Sequence, residues 1–501
     1  MNRYVVLPAH GFRSQTLAQA ASLRATIPLA AAVRGANPAV RDAISKVDVI
    51  DSVSVDGPKL VEMTPETELR LRLEEPSLKI VPLVIYEKMR LVYEIKREAA
   101  AAVFSTAEQG AVLRIEDMAG GPIEGARVIA FTNFRTRAGD EGRTDANGAV
   151  RLRIASGTTL ERIYVYGPPR YWGRFEKSFT LSNDASLQLE PIDLSQELTA
   201  LRRFRADIPL TAGQGIVVGI VDSGVDSAHP LLPNVSGGAN MVLAETKDDP
   251  GQIADWGPAA IDGEHGTHVA GIVGARPTAE FDLAGVAPGV TLRSYRVFPH
   301  TGGGATNYDI MNAIDRAVQD GCHIINLSLG GGTEDEALRA AIGSALDSGV
   351  LVIAAAGNDG RKPVSFPGTL PFCIAVTAMA WSDSFPSVSS EASDIARPYG
   401  SENTFLGAFS NFGPQIDLTG PGVGVISTLP EGTYGVMSGT SMASPAVAGY
   451  AAFLLAADGI ILRLNGADRS TALRDRLFGS AVPLGLGRDY EGFGLPGKGS
   501  T

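Results

Sequence analysis

The chain has 501 residues, which is too long for one ordinary hydrophobic core and predicts two or three domains. Apolar residues make up 44% and charged residues 20%, a composition typical of a soluble globular protein. The net charge of -12 argues against nucleic acid or an anionic membrane as the main partner, and its plainest interpretation is solubility.

The chain contains two cysteines, Cys322 and Cys373, and each lies in an apolar run. Free cysteine behaves as a small hydrophobic side chain, so both are predicted to be buried free thiols. A count of two excludes a disulfide framework.

No secretory signal is visible, since the first apolar run covers only residues 4–7. Later apolar runs, such as residues 450–457, are too short to span a bilayer, so no membrane partner is expected. As written, the chain is expected in the cytoplasm, unless a leader has been removed.

Residues 1–95 predict a small α+β domain. Residues 4–7 indicate a short strand, and residues 48–63 indicate two strands around a turn. Residues 64–68 open a helix with a threonine cap, proline at the first helical position and acidic residues in the first turn. Residues 78–86 are rich in branched side chains and predict one further strand.

Residues 100–192 predict a β-sandwich, because helix signals give way to short strands separated by turn clusters. Residues 121–128 lead into a strand, and the turn at residues 144–148 precedes the alternating strand at residues 149–154. This stretch resembles the carboxypeptidase-regulatory or transthyretin-like domains, whose mark is a "GA-V" strand followed by "TD-NG". That resemblance indicates a fold and says nearly nothing about function.

After a polar, basic connector at residues 193–210, the region of residues 205–490 alternates apolar strands with amphipathic helices. Alternation of this kind predicts a doubly wound α/β fold, with a parallel sheet covered by helices on both faces. The predicted strands are residues 216–221, 292–297, 323–327 and 350–355, and the helices between them are residues 307–319 and 335–348.

Two polar residues stand out early in this region. Asp222 ends an apolar strand, and open α/β sheets place their sites at the carboxyl ends of strands, although many acids there are only helix caps. His265 has small neighbours at the start of a helix and can present its imidazole to a cleft. His265 and His268 are three residues apart, but no cysteine or carboxylate spacing supports a zinc site, and His268 is interpreted as a packing residue.

Two more polar residues follow. Ser441 precedes the apolar helix at residues 446–456, so its hydroxyl is expected near free backbone amides and the positive end of the helix dipole. A plain cap would not need the glycine and small residues that flank it. Asn358 ends another apolar strand, where its amide can donate to a developing oxyanion.

Together these segments resemble the motifs of the subtilase family of subtilisin-like serine proteases. They occur in the order IVDSGVD, HGTHVAG, AAAGND and GTSMASP. The resemblance covers residues 205–490 and implies a serine endopeptidase of subtilisin-type fold that acts on peptide or protein substrates. It implies a triad of Asp222, His265 and Ser441, with Asn358 as oxyanion donor.

The resemblance also implies a substrate-binding surface in which an extended peptide pairs as a strand against residues 327–330, mostly through backbone bonds. This implies broad specificity, with large apolar or basic side chains at the specificity pocket and a modest contribution from Asp359 at its rim. The implied pocket residues are Ser328, Leu329, Gly330, Ala355, Ala356, Gly357 and Ser365.

By pattern and position, residues 1–95 resemble the family's inhibitory prosegment, so the chain's own amino-terminal region is expected to act as an intramolecular inhibitor of a zymogen. Residues 88–100 are then expected to run through the cleft, with the small residues 99–102 suited to the cleavage exit. A cut there would leave the β-sandwich attached to the mature enzyme. The alternative cut, in residues 191–210, would release it.

No cofactor and no metal are expected for the chemistry. Many family members wrap a calcium ion with the segment that corresponds to residues 275–285, which reads ARPTAEFDLAG here without an asparagine, so structural calcium has no clear motif. Two alternatives stay open. One is a scaffold with an inactive protease fold, although the chain has the complete triad. The other is a narrow processing protease whose selectivity is shaped by the serine-rich residues 381–404.

Overall fold

The computed structural model describes residues 1–7, 46–53, 57–76, 78–96, 110–183, 185–195, 199–331 and 333–497. Along the chain, these residues form an amino-terminal α+β unit, a pair of small β-sheets and a large α/β unit.

The amino-terminal unit is a four-stranded sheet with one described helix. The sheet order is β2-β3-β1-β4, with strands β1 (Asn2–Leu7), β2 (Asp48–Ser52), β3 (Lys59–Met63) and β4 (Lys79–Pro82). Helix α1 (Pro65–Glu74) starts as the sequence predicts, because the hydroxyl of Thr64 accepts from the backbone N–H of Thr67 at 3.2 Å.

The single strand predicted over residues 78–86 is wrong, because the chain forms two strands there. β4 pairs antiparallel with β1, and β5 (Ile85–Lys88) leaves that sheet to pair with the α/β unit. Between them the backbone N–H of Val84 donates to the side chain of Asn307 at 3.2 Å. A partner more than two hundred residues away in the sequence therefore ends the first strand and redirects the second.

Residues 110–192 form two facing sheets, with orders β11-β10-β7-β8 and β12-β6-β9. One apolar core joins them, and it includes Leu113, Val128 and Ile163. The sheet pair has the β-sandwich arrangement predicted from the strand spacing, while the resemblance to transthyretin-like domains stays a prediction. The strands are β6 (Ala111–Asp117), β7 (Arg127–Asn133), β8 (Ala138–Arg143), β9 (Ala149–Leu152), β10 (Thr159–Tyr166), β11 (Arg174–Thr180) and β12 (Ser186–Leu189).

The α/β unit is built on an eight-stranded sheet of order β14-β15-β13-β17-β19-β20-β21, with β22 beside β20. All of its pairs are parallel except β20 with β21. The strands of the unit are β13 (Val217–Asp222), β14 (Val235–Asn240), β15 (Thr291–Arg296), β16 (Ala305–Thr306), β17 (Ile324–Leu327), β18 (Leu329–Gly330), β19 (Leu351–Ala355), β20 (Ile374–Trp381), β21 (Thr404–Leu406), β22 (Leu418–Pro421), β23 (Val425–Leu429), β24 (Thr433–Met437), β25 (Ala481–Val482) and β26 (Leu495–Pro496).

Helices cover both faces of this sheet, as the sequence predicts. Neighbouring strand residues alternate between two cores, so that Ile220 belongs to one core and Val221 to the other. The helices are α2 (Ala200–Phe204), α3 (Leu243–Thr246), α4 (Glu264–Gly274), α5 (Asn307–Gln319), α6 (Glu336–Asp347), α7 (Thr440–Ala457), α8 (Gly459–Arg463), α9 (Gly466–Gly479) and α10 (Arg488–Glu491), with short 3-10 helices at Pro250–Ala254 and Ser390–Asp394. Side chains of α4 and α7 lie in the first core, and those of α5 and α6 lie in the second.

Among the described residues, α7 is the one helix that is long and apolar enough to cross a membrane. It is 83% buried inside the protein, which accounts for its apolar character as that of a core helix. Cys322 and Cys373 are buried free thiols, as predicted.

Candidate active site

Three polar side chains reach one edge of the large sheet from three different elements. Asp222 is the last residue of β13, His265 is the second residue of α4, and Ser441 is the second residue of α7. The carboxyl end of a parallel strand and the amino ends of its covering helices meet at the same edge, where α/β proteins place their sites.

The aspartate and the histidine form a dry pair. His265 Nδ1 lies 2.7 Å from Asp222 Oδ1, and each side chain is only 1% exposed. The backbone N–H of Ser223 also donates to Asp222 Oδ1, at 2.7 Å. A carboxylate at Nδ1 holds the proton on that nitrogen and leaves Nε2 as an acceptor. Within the described residues Nε2 has no hydrogen-bond partner, so it is available to take a proton.

The serine is not yet engaged with this pair. The hydroxyl of Ser441 donates to the backbone carbonyl of Ser328 at 2.9 Å. Catalytic hydrogen bonds are often incomplete in resting structures. The structure therefore joins Asp222 to His265, while the hydroxyl of Ser441 is bonded elsewhere.

Two donors converge on one carbonyl oxygen, that of Met89. The side-chain Nδ2 of Asn358 lies 2.5 Å from it, and the backbone N–H of Ser441 lies 3.2 Å from it. The other end of the amide is fixed, because Asn358 Oδ1 accepts from both the N–H and the hydroxyl of Thr440 at 2.9 Å. This network assigns the amide orientation that points Nδ2 at the carbonyl.

Gly439 makes room for that carbonyl. A Cβ at this position would lie 2.4 Å from the Met89 oxygen, and the residue has a φ of +150°. A side chain would therefore push the carbonyl away from both donors, so the glycine that begins the GTSMASP motif is required by close backbone approach.

The carbonyl belongs to a segment of the chain itself that is bound as a strand. β5 lies antiparallel between β16 and β18, with Tyr86 opposite Ala305 and Lys88 opposite Leu329. The pairing continues as Met89 N–H donates to the carbonyl of Ser328 at 3.2 Å. Residues 85–91 are called the docked segment below, and their Met89–Arg90 peptide bond lies at the two donors.

The side chain of Met89, a residue that is 8% exposed, lies against Gly330, and Gly330 neighbours other predicted pocket residues. A Cβ on Gly330 would lie 2.9 Å from the Met89 methyl and 3.4 Å from the Cβ of Ser365. The backbone N–H of Ser365 donates to the carbonyl of Ala356 at 2.9 Å, and a Cβ on Gly357 would lie 2.4 Å from the Ser365 hydroxyl. The large apolar side chain of Met89 therefore lies at the implied specificity pocket.

The remaining predicted pocket residues have other positions. Ser328 and Leu329 meet the docked segment through their backbones, and Ala355 is buried at the end of β19. The carboxylate of Asp359 accepts from the side chain of Asn411 at 2.9 Å.

Two acidic residues that sequence reasoning missed contact the docked segment. Glu264, next to His265, forms an ion pair with Arg90 at 2.5 Å between Oε1 and Nη1. Burial alone would raise the pKa of Glu264, but the charge of Arg90 holds that pKa below its ordinary value. Asp335 accepts a hydrogen bond from the phenol of Tyr86. The sequence signals were an acid in the first turn of a helix and an ordinary N-cap.

His268 is a packing residue, as expected. Its Nε2 lies 3.0 Å from the carbonyl of Val425 and 3.3 Å from that of Gly435. Burial lowers its pKa to about 3. In the part of the chain that the structure describes, no group of three or more His, Cys, Asp or Glu residues is placed to hold a metal ion.

A groove of about 1050 Å³ extends from His265 past the docked segment. The α/β unit lines one wall with residues such as Glu264, and the β-sandwich lines the other with Arg127 and Tyr166. The sandwich therefore borders the side of the site that lies beyond the Met89–Arg90 bond.

The chain belongs to the subtilase family, whose model matches residues 213–494 and so contains Asp222, His265, Asn358 and Ser441. Subtilisin from Bacillus pumilus is 38% identical over 287 residues, which cover 56% of this chain and 89% of that protein. Subtilisin NAT from Bacillus subtilis subsp. natto is 37% identical over 287 residues, which cover 56% of this chain. The matched residues span 64% of the length of Subtilisin NAT and of Subtilisin E from Bacillus subtilis (strain 168).

Proposed function

We propose that this chain is a serine endopeptidase that hydrolyses peptide bonds in peptide or protein substrates through an acyl-enzyme on Ser441. One observation carries the proposal. The chain's own Met89 carbonyl is bound by the Asn358 amide and the Ser441 N–H, beside a buried Asp222–His265 pair. A peptide carbonyl held in this way is in the position of a substrate.

The chemistry follows from these positions. The Ser441 oxygen attacks the substrate carbonyl carbon while His265 Nε2 takes its proton, and Asp222 stabilises the imidazolium that forms. The negative charge on the carbonyl oxygen is held by Asn358 Nδ2 and the Ser441 N–H. His265 then gives the proton to the leaving amine, the C–N bond breaks, and water releases the acyl group from Ser441 by the same route.

This scheme requires no cofactor, since the nucleophile, the base and the oxyanion donors are all protein groups. We therefore expect peptide hydrolysis to survive a metal chelator. A structural calcium site is not part of the proposal, because residues 275–285 carry no clear motif for one.

We further propose that the amino-terminal region inhibits the enzyme from within the same chain. The docked segment fills the cleft as an extended strand, and its continuation is held beyond the bond, where Leu91 N–H donates to the carbonyl of Ser438 at 2.9 Å. A substrate cannot pair with β16 and β18 until the docked segment leaves. Occupied strand partners and an occupied oxyanion site support inhibition by competition.

The proposed maturation cut is the Met89–Arg90 bond. The cleavage exit expected at residues 99–102 lies outside the described residues. After the cut, Val92, Tyr93 and Ile95 would still pack on an aromatic cluster of the sandwich that includes Phe131 and Tyr164. The sandwich would then stay with the mature enzyme.

The alternative cut, in the connector at residues 191–210, has less support. Ile192 and Leu201 belong to the main core of the α/β unit, and Arg202 pairs with Asp282 at 2.7 Å. In the described parts of the connector, residues 191–195 and 199–210, a backbone packed in this way is a poor protease substrate, because cleavage requires local unfolding.

A narrow processing role is the second candidate function, and one observation favours it. Glu391 and Asp394, in the segment of residues 381–404, line a small cavity beside Leu91 and Tyr93. That segment thus borders residues on the leaving-group side of the bond. Digestion of a peptide library distinguishes broad specificity from narrow specificity.

The direct test of the proposed function is hydrolysis of a casein-derived peptide mixture by wild type and by Ser441→Ala, each with and without EDTA. We expect the substitution to lower turnover about 10⁶-fold, a magnitude established on subtilisin and carried over here. The matched control is Ser470→Ala, which removes a buried helix hydroxyl bonded to the carbonyl of Leu346. Activity of Ser441→Ala near that of wild type would contradict the proposal.

A further inference from the structure

Tyr86 is the fourth residue before the Met89–Arg90 bond, when Met89 is counted as the first. Its side chain is 0% exposed, and it packs in the core of the α/β unit that also contains Leu329 and Phe366. The Tyr86 and Phe366 rings are 6.3 Å apart at a tilt of 45°. The neighbouring side chain of Ile85 is 49% exposed, as expected for alternation along a strand.

The phenol of Tyr86 ends at a carboxylate in this apolar surrounding. Asp335 is 4% exposed and caps helix α6, where its Oδ1 accepts from the N–H of Leu338 at 2.9 Å. Its second oxygen, Oδ2, accepts from the Tyr86 hydroxyl. Burial, and to a smaller extent the charge of Asp335, raises the pKa of Tyr86. The phenol therefore keeps its proton and acts as the hydrogen-bond donor.

We infer that Asp335 makes the fourth subsite of this protease selective for tyrosine in its substrates. The inference rests on the proposed function and assigns a substrate class to the same site. When the docked segment leaves, Oδ1 stays committed to the cap, while Oδ2 faces the pocket that the phenol occupied. A substrate tyrosine restores the lost hydrogen bond.

Other side chains satisfy this pocket less well. Phenylalanine fills the apolar space but does not replace the phenol donor, and a buried carboxylate that loses a hydrogen bond is destabilised. The side chain of Asn307 and the N–H of Ala337 also interact with this carboxylate, so the loss is that of one donor among several. Lysine supplies a donor, but its ammonium must be buried beside the apolar side chains that surround the phenol. Sites that bond a substrate hydroxyl discriminate strongly against the analogue that lacks it.

The test uses processed enzyme and four chromogenic peptides of the form X-Glu-Lys-Met-p-nitroanilide, with X as Tyr, Phe, Leu or Lys. The sequence copies residues 87–89 and places p-nitroaniline instead of an amino acid after the cleaved bond, so the ion pair of Arg90 plays no part. We expect kcat/KM for tyrosine to exceed that for phenylalanine roughly tenfold or more, with leucine and lysine below tyrosine.

Asp335→Ser is the test variant, because serine also caps helices well but has no second oxygen for the pocket. We expect it to bring the tyrosine-to-phenylalanine ratio close to one. The matched control is Asp458→Ser, which changes another capping aspartate, bonded to the N–H groups of Ile460 and Ile461 at 3.0 and 3.1 Å. That variant should keep the wild-type ratio.

The outcomes separate this inference from the proposed function. Hydrolysis of the tyrosine and phenylalanine peptides at equal rates by wild type overturns the inference and leaves the endopeptidase standing, as does a preference for lysine. A tyrosine preference that persists in Asp335→Ser overturns the role of Asp335. No Ser441-dependent hydrolysis of any of the peptides overturns both the function and the inference.

Discussion

Replacing Asn358 by leucine tests the oxyanion site, because leucine has a similar size and no donor. Two donors reach the Met89 oxygen in the structure, and the substitution removes the shorter contact, at 2.5 Å. A hydrogen bond to a charged acceptor contributes about 1.5–3 kcal/mol, and a dry, fixed site increases that value. We therefore expect turnover to fall about 10²–10³-fold with little change in KM, a range that was established on subtilisin and is carried over here.

The substitution also disturbs the fold slightly, since the buried N–H of Thr440 loses its acceptor on Asn358. Unfolding in denaturant should show a loss of about 1–3 kcal/mol, so rates are normalised to folded enzyme by active-site titration. Asn234→Leu is the control, because it removes buried side-chain bonds to the carbonyls of Gly274 and Val290 at 3.0 Å. An unchanged turnover in Asn358→Leu would show that another group stabilises the oxyanion.

Two further predictions concern charge. Arg90→Glu places a second negative charge beside Glu264 and should slow the release of residues 1–89 roughly tenfold. Arg90→Gln loses only a partly exposed ion pair of about 0–1 kcal/mol and should slow the release less. Equal release rates for the two variants, followed on a gel, would contradict this. His268 has its pKa lowered to about 3 in the folded state, so the unfolded chain binds a proton that the folded chain does not between pH 6.5 and 3. The unfolding free energy should therefore decrease as the pH is lowered from 6.5 to 3, by at most about 1.4 kcal/mol per pH unit from this group. Denaturant titrations of His268→Gln should show a smaller decrease over the same range.

The family and the large sheet follow from features that are local in the sequence. Strand residues such as Ile220 and Val221 must both be apolar because helices cover both faces, and that produces the continuous apolar runs. Asp222, His265, Asn358 and Ser441 each stand in a short motif, so a single sequence suffices to predict them as candidate site residues.

The course of the amino-terminal region could not be predicted in the same detail. Residues 78–86 are rich in branched side chains, and the sequence does not show that the first half pairs with β1 while the end of the stretch begins β5, which pairs with β16 and β18. The register with β18 decides which carbonyl meets Asn358. Local composition carries no information about that register, and the cleavage exit expected at residues 99–102 stays a prediction because it lies outside the described residues.

Asp335 illustrates the same limit in one side chain. The sequence predicts a helix from residue 335, and in the structure Asp335 is the N-cap of the helix that begins at Glu336. Its second contact, with Tyr86, joins residues 249 positions apart, which pair only because β5 crosses between two strands of the α/β unit.

The central claim is that the chain's own Met89–Arg90 bond lies in its active site as a substrate. Intact mass and amino-terminal sequencing of purified wild type and Ser441→Ala test it most directly. We predict that wild type yields residues 1–89 and a second fragment that begins at Arg90, while Ser441→Ala stays full length. If both remain full length while wild type hydrolyses peptides, or if the new amino terminus lies elsewhere, the docked segment is not the maturation site and the account is wrong.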